Sequence, residues 1–154
     1  MVQTQVNSLF MNVQDDTLLL PNSSIAEVIG VRELQSVSQA PVWMLGLFEW
    51  RNREIPLVSF ENIYKGTPVD ANRKGQRVTV LKAIGQDPEF DFFGLLVQGM
   101  PQMIRITDQN IKRGDARNAP ESSMVRVHAD IMGRHAIIPD LESLERVIKR
   151  VLYH

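Results

Sequence analysis

Residues 40–66, APVWMLGLFEWRNREIPLVSFENIYKG, restrict the possible folds more than any other stretch. An apolar run at 42–48 leads into Trp50-Arg51-Asn52-Arg53, and a second apolar run at 55–60 follows at once. Two apolar runs joined by a short polar turn specify a β-hairpin. Turn chemistry by itself favours Gly, Asp or Ser, yet this turn carries two arginines. Asn52 is the one residue here that tolerates the left-handed conformation of a tight turn. Asn52 is therefore expected to make the bend, with Arg51 and Arg53 displayed at the tip. A charged tip is either a simple solvated turn or a binding element, and the hairpin alone does not choose between them.

The same alternation of short apolar runs and turns fills the chain. Leu9, Met11 and Val13 alternate with polar neighbours apart from Phe10. Gln14-Asp15-Asp16 turns, and the run 17–20 continues to Pro21, giving a first hairpin. Ile25, Val28, Ile29 and Val31 are β-branched and interrupted by Gly30, so 24–29 reads as a strand. Residues 32–39 form a polar connector, and 61–65 make one helical turn ended by Gly66. The segment 67–76, TPVDANRKGQ, is the one good internal boundary. Beyond it come a strand at 77–84, a loop at 85–91, and a strand at 92–97. Gln98-Gly99-Met100-Pro101 then predicts a turn, with a return strand at 103–106. Residues 108–123 read as a long surface loop. Alternation at 124–131, a turn at Gly133-Arg134 and a return at 136–138 give a last hairpin. Asp140 caps the one convincing helix, whose stripe is Leu141, Leu144, Ile148, Val151 and Leu152. Glu142–Arg146 and Glu145–Lys149 are i,i+4 pairs worth about 0.3 kcal/mol each on an exposed face.

Strands this short and interrupted do not suit parallel βαβ units. They predict a mainly antiparallel β architecture of two small barrels in one unit. The first barrel is expected over about 15–70 with parts of the termini, the second over about 77–140, and the helix over 140–153.

Charge and composition exclude several function classes. The formal net charge of −1 gives no support for nucleic-acid binding or a polybasic membrane tether. The absence of cysteine removes disulfides, thiolate metal sites and cysteine nucleophiles, and is compatible with a reducing cytoplasm. The N-terminal residues do not follow the pattern of a signal peptide, and no apolar stretch approaches the roughly 18 residues of a membrane helix. Asn22-Ser23-Ser24 fits a glycosylation sequon without a secretory context. There is no glycine-rich phosphate loop, no H-E-x-x-H and no G-x-S-x-G. His128 and His135 flank a turn that would bring them onto one face, but no third ligand is indicated and zinc needs three or four, so no metal site is expected. Asp15-Asp16 and Asp87-Pro88-Glu89 are not placed for acid–base work. Met11, Met44, Met103 and Met132 lie in or beside apolar runs and read as core filling. Of Trp43 and Trp50, one is expected in the core and the other over the hairpin tip. A protein-binding module fits these residues better than a small β-barrel enzyme or ligand-binding subunit. A nucleic-acid-binding barrel is opposed by the charge balance and the 6% aromatic content.

The order of motifs along the chain resembles the CheW-like domain of bacterial chemosensory arrays, the coupling module between receptors and a CheA-type histidine kinase. Residues 18–21 and then Ala26-Glu27-Val28 resemble the family's apolar–Pro and V-x-E-I strands. Ala40-Pro41, Leu45-Gly46, Trp50-Arg51 and Ile55-Pro56-Leu57-Val58 follow the family order: a Pro before a strand, a Gly within it, an Arg at the hairpin, then an I-P-V-V strand. Phe93-Gly94-Leu95-Leu96-Val97 with Gly99 resembles F-G-L-V-V-D-x-V, and Ile138-Pro139-Asp140-Leu141-Glu142-Ser143-Leu144 resembles the closing L-D-L-E-x-L. Each piece is weak alone; their shared order over nearly the full length carries the match.

The resemblance implies a single domain over 1–154 built of two packed SH3-like five-stranded antiparallel β-barrels with a C-terminal helix. It implies no catalysis and no cofactor. It implies that one barrel surface binds the regulatory domain of a CheA-type histidine kinase, and that a groove region binds the cytoplasmic tip of a methyl-accepting chemotaxis receptor. Other CheW-like proteins are further candidate partners, in the cytoplasm at membrane-proximal arrays. By motif position Arg51 matches the family's hairpin Arg, Ile25 and Glu27 lie on the strand near the receptor groove, and Asn52 and Arg53 complete the tip. An Arg there offers a planar fork of donors to a partner's carboxylates or carbonyls. The chain departs from the family's N-L-R-G, which is Glu49-Trp50-Arg51-Asn52 here, and Ser59 and Gln98 stand where Asp is usual. The wording W-x-L-G-L…W-R…I-P-L-V-S-F-E looks most like the branch serving type IV pilus twitching motility.

Overall fold

A computed structural model describes residues 5–116 and 119–153. In chain order the elements are β1 (Gln5–Asn12), β2 (Thr17–Pro21), β3 (Ile25–Gly30), β4 (Met44–Trp50), β5 (Arg53–Val58), α1 (Phe60–Lys65), β6 (Gln76–Lys82), β7 (Phe92–Thr107), β8 (Ile111–Arg113), β9 (Val125–Ile131), β10 (Arg134–Pro139) and α2 (Leu141–Leu152).

β7 joins the two halves of the molecule. Its first part pairs antiparallel with β6, from Lys82↔Phe92 to Gln76↔Gln98. Its second part pairs with β1, from Phe10↔Gln102 to Gln5↔Thr107. Phe93, Leu95, Leu96 and Val97 are all buried, as expected of a strand covered on both faces. The turn expected at 98–101 is thus a bend inside one strand of 16 residues. Gly99 bends it with φ 76° and donates its N–H to the Gly75 carbonyl at 2.8 Å. Pro101 falls where the β1 ladder is irregular, between Phe10 and Asn12, so its missing N–H breaks no ladder bond. Gly94 is required by packing, because a Cβ there would meet the Phe48 ring and the Val78 side chain at 3.0 Å.

One unit consists of β3, β4, β5, β6 and the first part of β7. Its core is Ile29, Phe48, Trp50, Ile55, Leu57, Val78, Val80 and Leu96. Two reciprocal 2.8 Å hydrogen bonds between Gln35 and Leu47 close it, joining the connector after β3 to β4. The other unit takes the second part of β7 with β1, β2, β8, β9 and β10, around Phe10, Leu19, Ile106, Ala129, Ile131 and Ala136. A third cluster, including Met11, Leu18, Phe60, Phe93, Ile137, Leu144 and Ile148, lies where the units and α2 meet. Strand pairing crosses the break at 67–76 in both directions. β6 follows the break yet pairs with β3, and β1 and β2 precede it yet share a sheet with β8–β10. Segment 67–76 carries the chain across without setting which edges pair. Two of the strand contacts are parallel, β5–β7 and β2–β10, where strands distant in sequence meet.

The expected helices form with their caps. The Asp140 carboxylate accepts from the Ser143 N–H at 3.1 Å, and Ser59 Oγ accepts from the Asn62 N–H at 3.3 Å before α1. Gly66 ends α1 at φ 73°. The pair expected between Glu145 and Lys149 is replaced. Glu145, only 5% exposed, accepts from the Ile84 and Gly85 N–H groups at 2.7 and 3.1 Å. Lys149 binds Asp87 at 2.9 Å, and the Tyr153 hydroxyl donates to the Glu89 carbonyl at 2.8 Å. One face of α2 thus holds the 83–91 loop at three levels. The expected 108–123 loop is broken by β8, which pairs with β9 and lends Ile111 to the core of its unit. Met11 and Met44 are buried, whereas Met103 and Met132 are 69% and 73% exposed. The alternation that points Ile104 and Ile106 inward turns Met103 out, and Met132 sits in a turn. Among the described residues no helix is long and apolar enough to cross a membrane.

Candidate functional site

The β4–β5 hairpin carries Trp50 opposite Arg53, leaving Arg51 and Asn52 as a two-residue loop. Both loop residues are left-handed, at φ 49° and 63°. This is the primed turn that matches strand twist. Arg51 therefore shares the bend with Asn52 and is not merely displayed by it. A left-handed arginine is strained by about 1 kcal/mol, so something at the tip must compensate for keeping it.

The compensation is built on Trp50. Its ring is 4% exposed and packs on Phe92 with centroids 4.7 Å apart. Its indole N–H donates to Glu27 Oε1 at 2.9 Å. The Arg51 guanidinium lies over the same ring, 4.6 Å from its centroid, and its Nη2 donates to the same Glu27 oxygen at 3.4 Å. The Arg51 and Glu27 side chains remain 65% and 42% exposed, so the ion pair itself contributes at most about 1 kcal/mol. The arrangement fixes where the guanidinium points and leaves most of its donors facing solvent. Trp50 is thus both core and support for the tip, whereas Trp43 packs half-buried on the cluster beneath α2.

Glu27, Arg51 and Asn52 border one open depression with Arg32, Glu33, Glu49 and Trp50. Arg53 does not join them: it pairs with Asp91 and lies over the Phe92 ring at 5.3 Å. Ile25 pairs with Leu81, beyond an irregularity in the ladder, and packs on the cluster beneath α2. Of the five residues expected at a partner surface, three converge and two face elsewhere. Sequence reading missed the part played by Trp50; a tryptophan directly before an arginine-bearing turn was the available signal. The site presents guanidinium donors and carboxylate acceptors on a shallow surface. Among the described residues no group of three or more His, Asp or Glu side chains is arranged to hold a metal ion.

Comparison with known proteins accounts for both the fold and this motif order. The family model of the CheW-like domain matches residues 7–148. No curated protein matches the sequence. The crystal structure of the scaffolding protein TtCheW from Thermoanaerobacter tengcongensis superposes with a TM-score of 0.74 over 90% of each chain at 17% identity, a likeness of fold. The chain belongs to the CheW-like domain family, whose members are non-enzymatic scaffolding and adaptor proteins of chemotaxis.

Proposed function

We propose that this chain couples methyl-accepting chemotaxis receptors to a CheA-type histidine kinase, doing no chemistry of its own. It would bring receptor tip and kinase regulatory domain together, so that a small receptor rearrangement biases the kinase. Its place would be the cytoplasmic side of membrane-proximal arrays, and its wording favours the type IV pilus branch.

The observation that supports this most is the geometry at Arg51. A solvated turn would let its arginine wander and would be built from better turn formers. Here a strained arginine is held against Trp50 and Glu27 while its donors face outward. An exposed, preorganised guanidinium loses little side-chain entropy on binding and can take a carboxylate bidentately. Glu27, Arg51 and Asn52 are proposed as one partner-binding surface, with Arg53 and Ile25 contributing through the framework.

The test is calorimetric titration against the regulatory domain of a chemosensory kinase from the same genome, and then against a receptor tip. The proposal expects saturable micromolar binding, lost in Arg51→Glu and weakened in Glu27→Lys. Wild-type affinity in both variants would remove the surface from the proposal, and no binding to any such kinase or receptor tip would remove the coupling role. A swimming or swarming defect with normal twitching in a deletion strain would remove the pilus branch.

A further inference from the structure

The β9–β10 hairpin carries a second constellation, unrelated to the Arg51 surface. The register pairs Asp130 with His135 and His128 with Ile137. Alternation therefore puts His128, Asp130 and His135 on one face of the ladder, opposite the buried Ala129, Ile131 and Ala136. The two imidazoles, both half-buried, stack with centroids 5.2 Å apart and planes 22° apart. His128 Nδ1 and His135 Nε2 come within 3.2 Å.

Two imidazole nitrogens at that separation hold one proton between them, one donating and the other accepting. The same gap suits a different occupant. A divalent ion about 2.0–2.1 Å from each of two imidazole nitrogens, with a near-tetrahedral angle, spans them at about 3.3 Å. The sequence spacing indicated no third ligand, and among the described residues no group of three acidic or imidazole side chains converges there. What the fold adds is the separation of the two nitrogens. Asp130 contributes a nearby negative charge while its Oδ1 accepts from the Gly133 N–H at 2.8 Å.

We propose that His128 and His135 form an open two-histidine chelate for a borderline divalent cation of the Zn²⁺, Ni²⁺ or Cu²⁺ type, with water in the remaining positions. Imidazole suits these ions, whereas Mg²⁺ and Ca²⁺ prefer oxygen ligands. Two side-chain ligands make an exchangeable site rather than a structural one. Because the ligands come from different strands, an ion there would pin β9 to β10 and stabilise the fold by linkage.

The test uses the untagged full chain, titrated calorimetrically with nickel chloride and with zinc chloride. His128→Gln, His135→Gln and, as a control, His154→Gln are titrated beside it, each confirmed folded by its far-ultraviolet spectrum. Wild type and His154→Gln are expected to bind one ion per chain with equal affinity and to melt at higher temperature with nickel. His128→Gln and His135→Gln are expected to lose the saturable heat and the melting shift. The electron paramagnetic resonance spectrum of the copper-loaded wild type is expected to show two equatorial nitrogens. Wild-type binding in either hairpin variant, or no saturable binding by the wild type into the millimolar range, overturns the proposal and leaves an N–H···N contact only.

Discussion

Two hairpins in this molecule turn over the same kind of loop and finish it differently. Arg51 and Asn52 take the two left-handed positions of β4–β5, and Met132 and Gly133 take those of β9–β10. The second loop places glycine where φ reaches 90°, although Met132 at φ 52° is as left-handed as Arg51. Its other residue, Met132, is 73% exposed. The first loop has no glycine, and it is held by Trp50, Glu27 and the Arg53–Asp91 pair. Turn geometry fixes where a chain bends, not which side chain stands at the bend. Where an ill-suited residue is kept and braced by its neighbours, the reason for keeping it lies outside the turn.

The largest expected effects come from the stems, which the comparison treats as equivalent. Leu57 is 1% exposed in β5 and Ala136 is 0% exposed in β10. Leu57→Asp and Ala136→Asp each bury an unpaired charge and should cost several kcal/mol, enough to prevent cooperative folding in chemical denaturation. Arg51→Glu should leave the melting temperature within a few degrees of wild type. If it lowers stability as much as Leu57→Asp, the first loop belongs to the core and the contrast between stem and tip is wrong.

Trp50 separates the two hairpins next. Trp50→Ala should cost about 3–5 kcal/mol, as truncation of a buried aromatic does. Trp50→Phe keeps an aromatic ring in the core but removes the N–H donated to Glu27 together with part of the buried ring, costing about 1–3 kcal/mol. It should nevertheless loosen Arg51, visible as side-chain guanidinium signals averaging toward free arginine. If those signals do not change, the indole is not what orients the guanidinium.

The loops themselves give a smaller, opposed pair. Gly133→Ala should cost about 1 kcal/mol by strain alone, since a Cβ there meets nothing within 4 Å. Arg51→Gly should stay within about 1 kcal/mol of wild type, because relief of the left-handed arginine offsets the lost contacts. Partner binding should fall sharply only in Arg51→Gly. Equal stability losses in the two would mean that the first loop is as bound to its residue by geometry as the second.

These contrasts also mark what was legible in the sequence. The hairpins and α2 could be read, because alternation, turn residues and the Asp140 cap are local signals. β7 could not: Gly99 and Pro101 look like a reversal unless β1 is known to be waiting to continue the ladder. Glu145 looked satisfied by Lys149 four residues on, but Ile84 and Gly85, more than a third of the chain away, needed an acceptor. Arg51 and Asn52 were visible as a tip, while the bond between Trp50 and Glu27 joins strands that do not pair directly and came only with the fold. Local rules find elements and bends. The unpaired groups those elements leave behind choose partners across the chain, and that is where both the grouping of strands and the shape of the site were decided.

The smallest expected effect concerns how the first hairpin is anchored from behind. Arg53 ties it to Asp91, and the 83–91 loop is in turn held by α2. The Lys149 ammonium, and then the Glu89 N–H, hold the Asp87 carboxyl below the usual carboxylate range. Asp87 in turn raises Lys149. A carboxyl lowered by folding contributes above its unfolded pKa of about 4 and loses that contribution as pH falls through the lower folded value. A raised lysine contributes below about pH 10.4 and loses it as pH rises past the folded value. The tie should therefore be constant between those limits and weaken in acid. Amide exchange in 83–91, corrected for intrinsic rates, should lose protection between pH 5 and pH 3 in the wild type. Asp87→Asn should already show reduced protection at pH 5 and change less on acidification. The β9–β10 loop, held through Arg134 and Asp130 and not through Asp87, should follow the same course in both proteins. If the loop at 83–91 is equally protected in the variant, the Glu145 carboxylate and the Tyr153 hydroxyl hold it unaided, and the bracing of the first hairpin runs through their bonds to the loop backbone rather than through the Asp87–Lys149 pair.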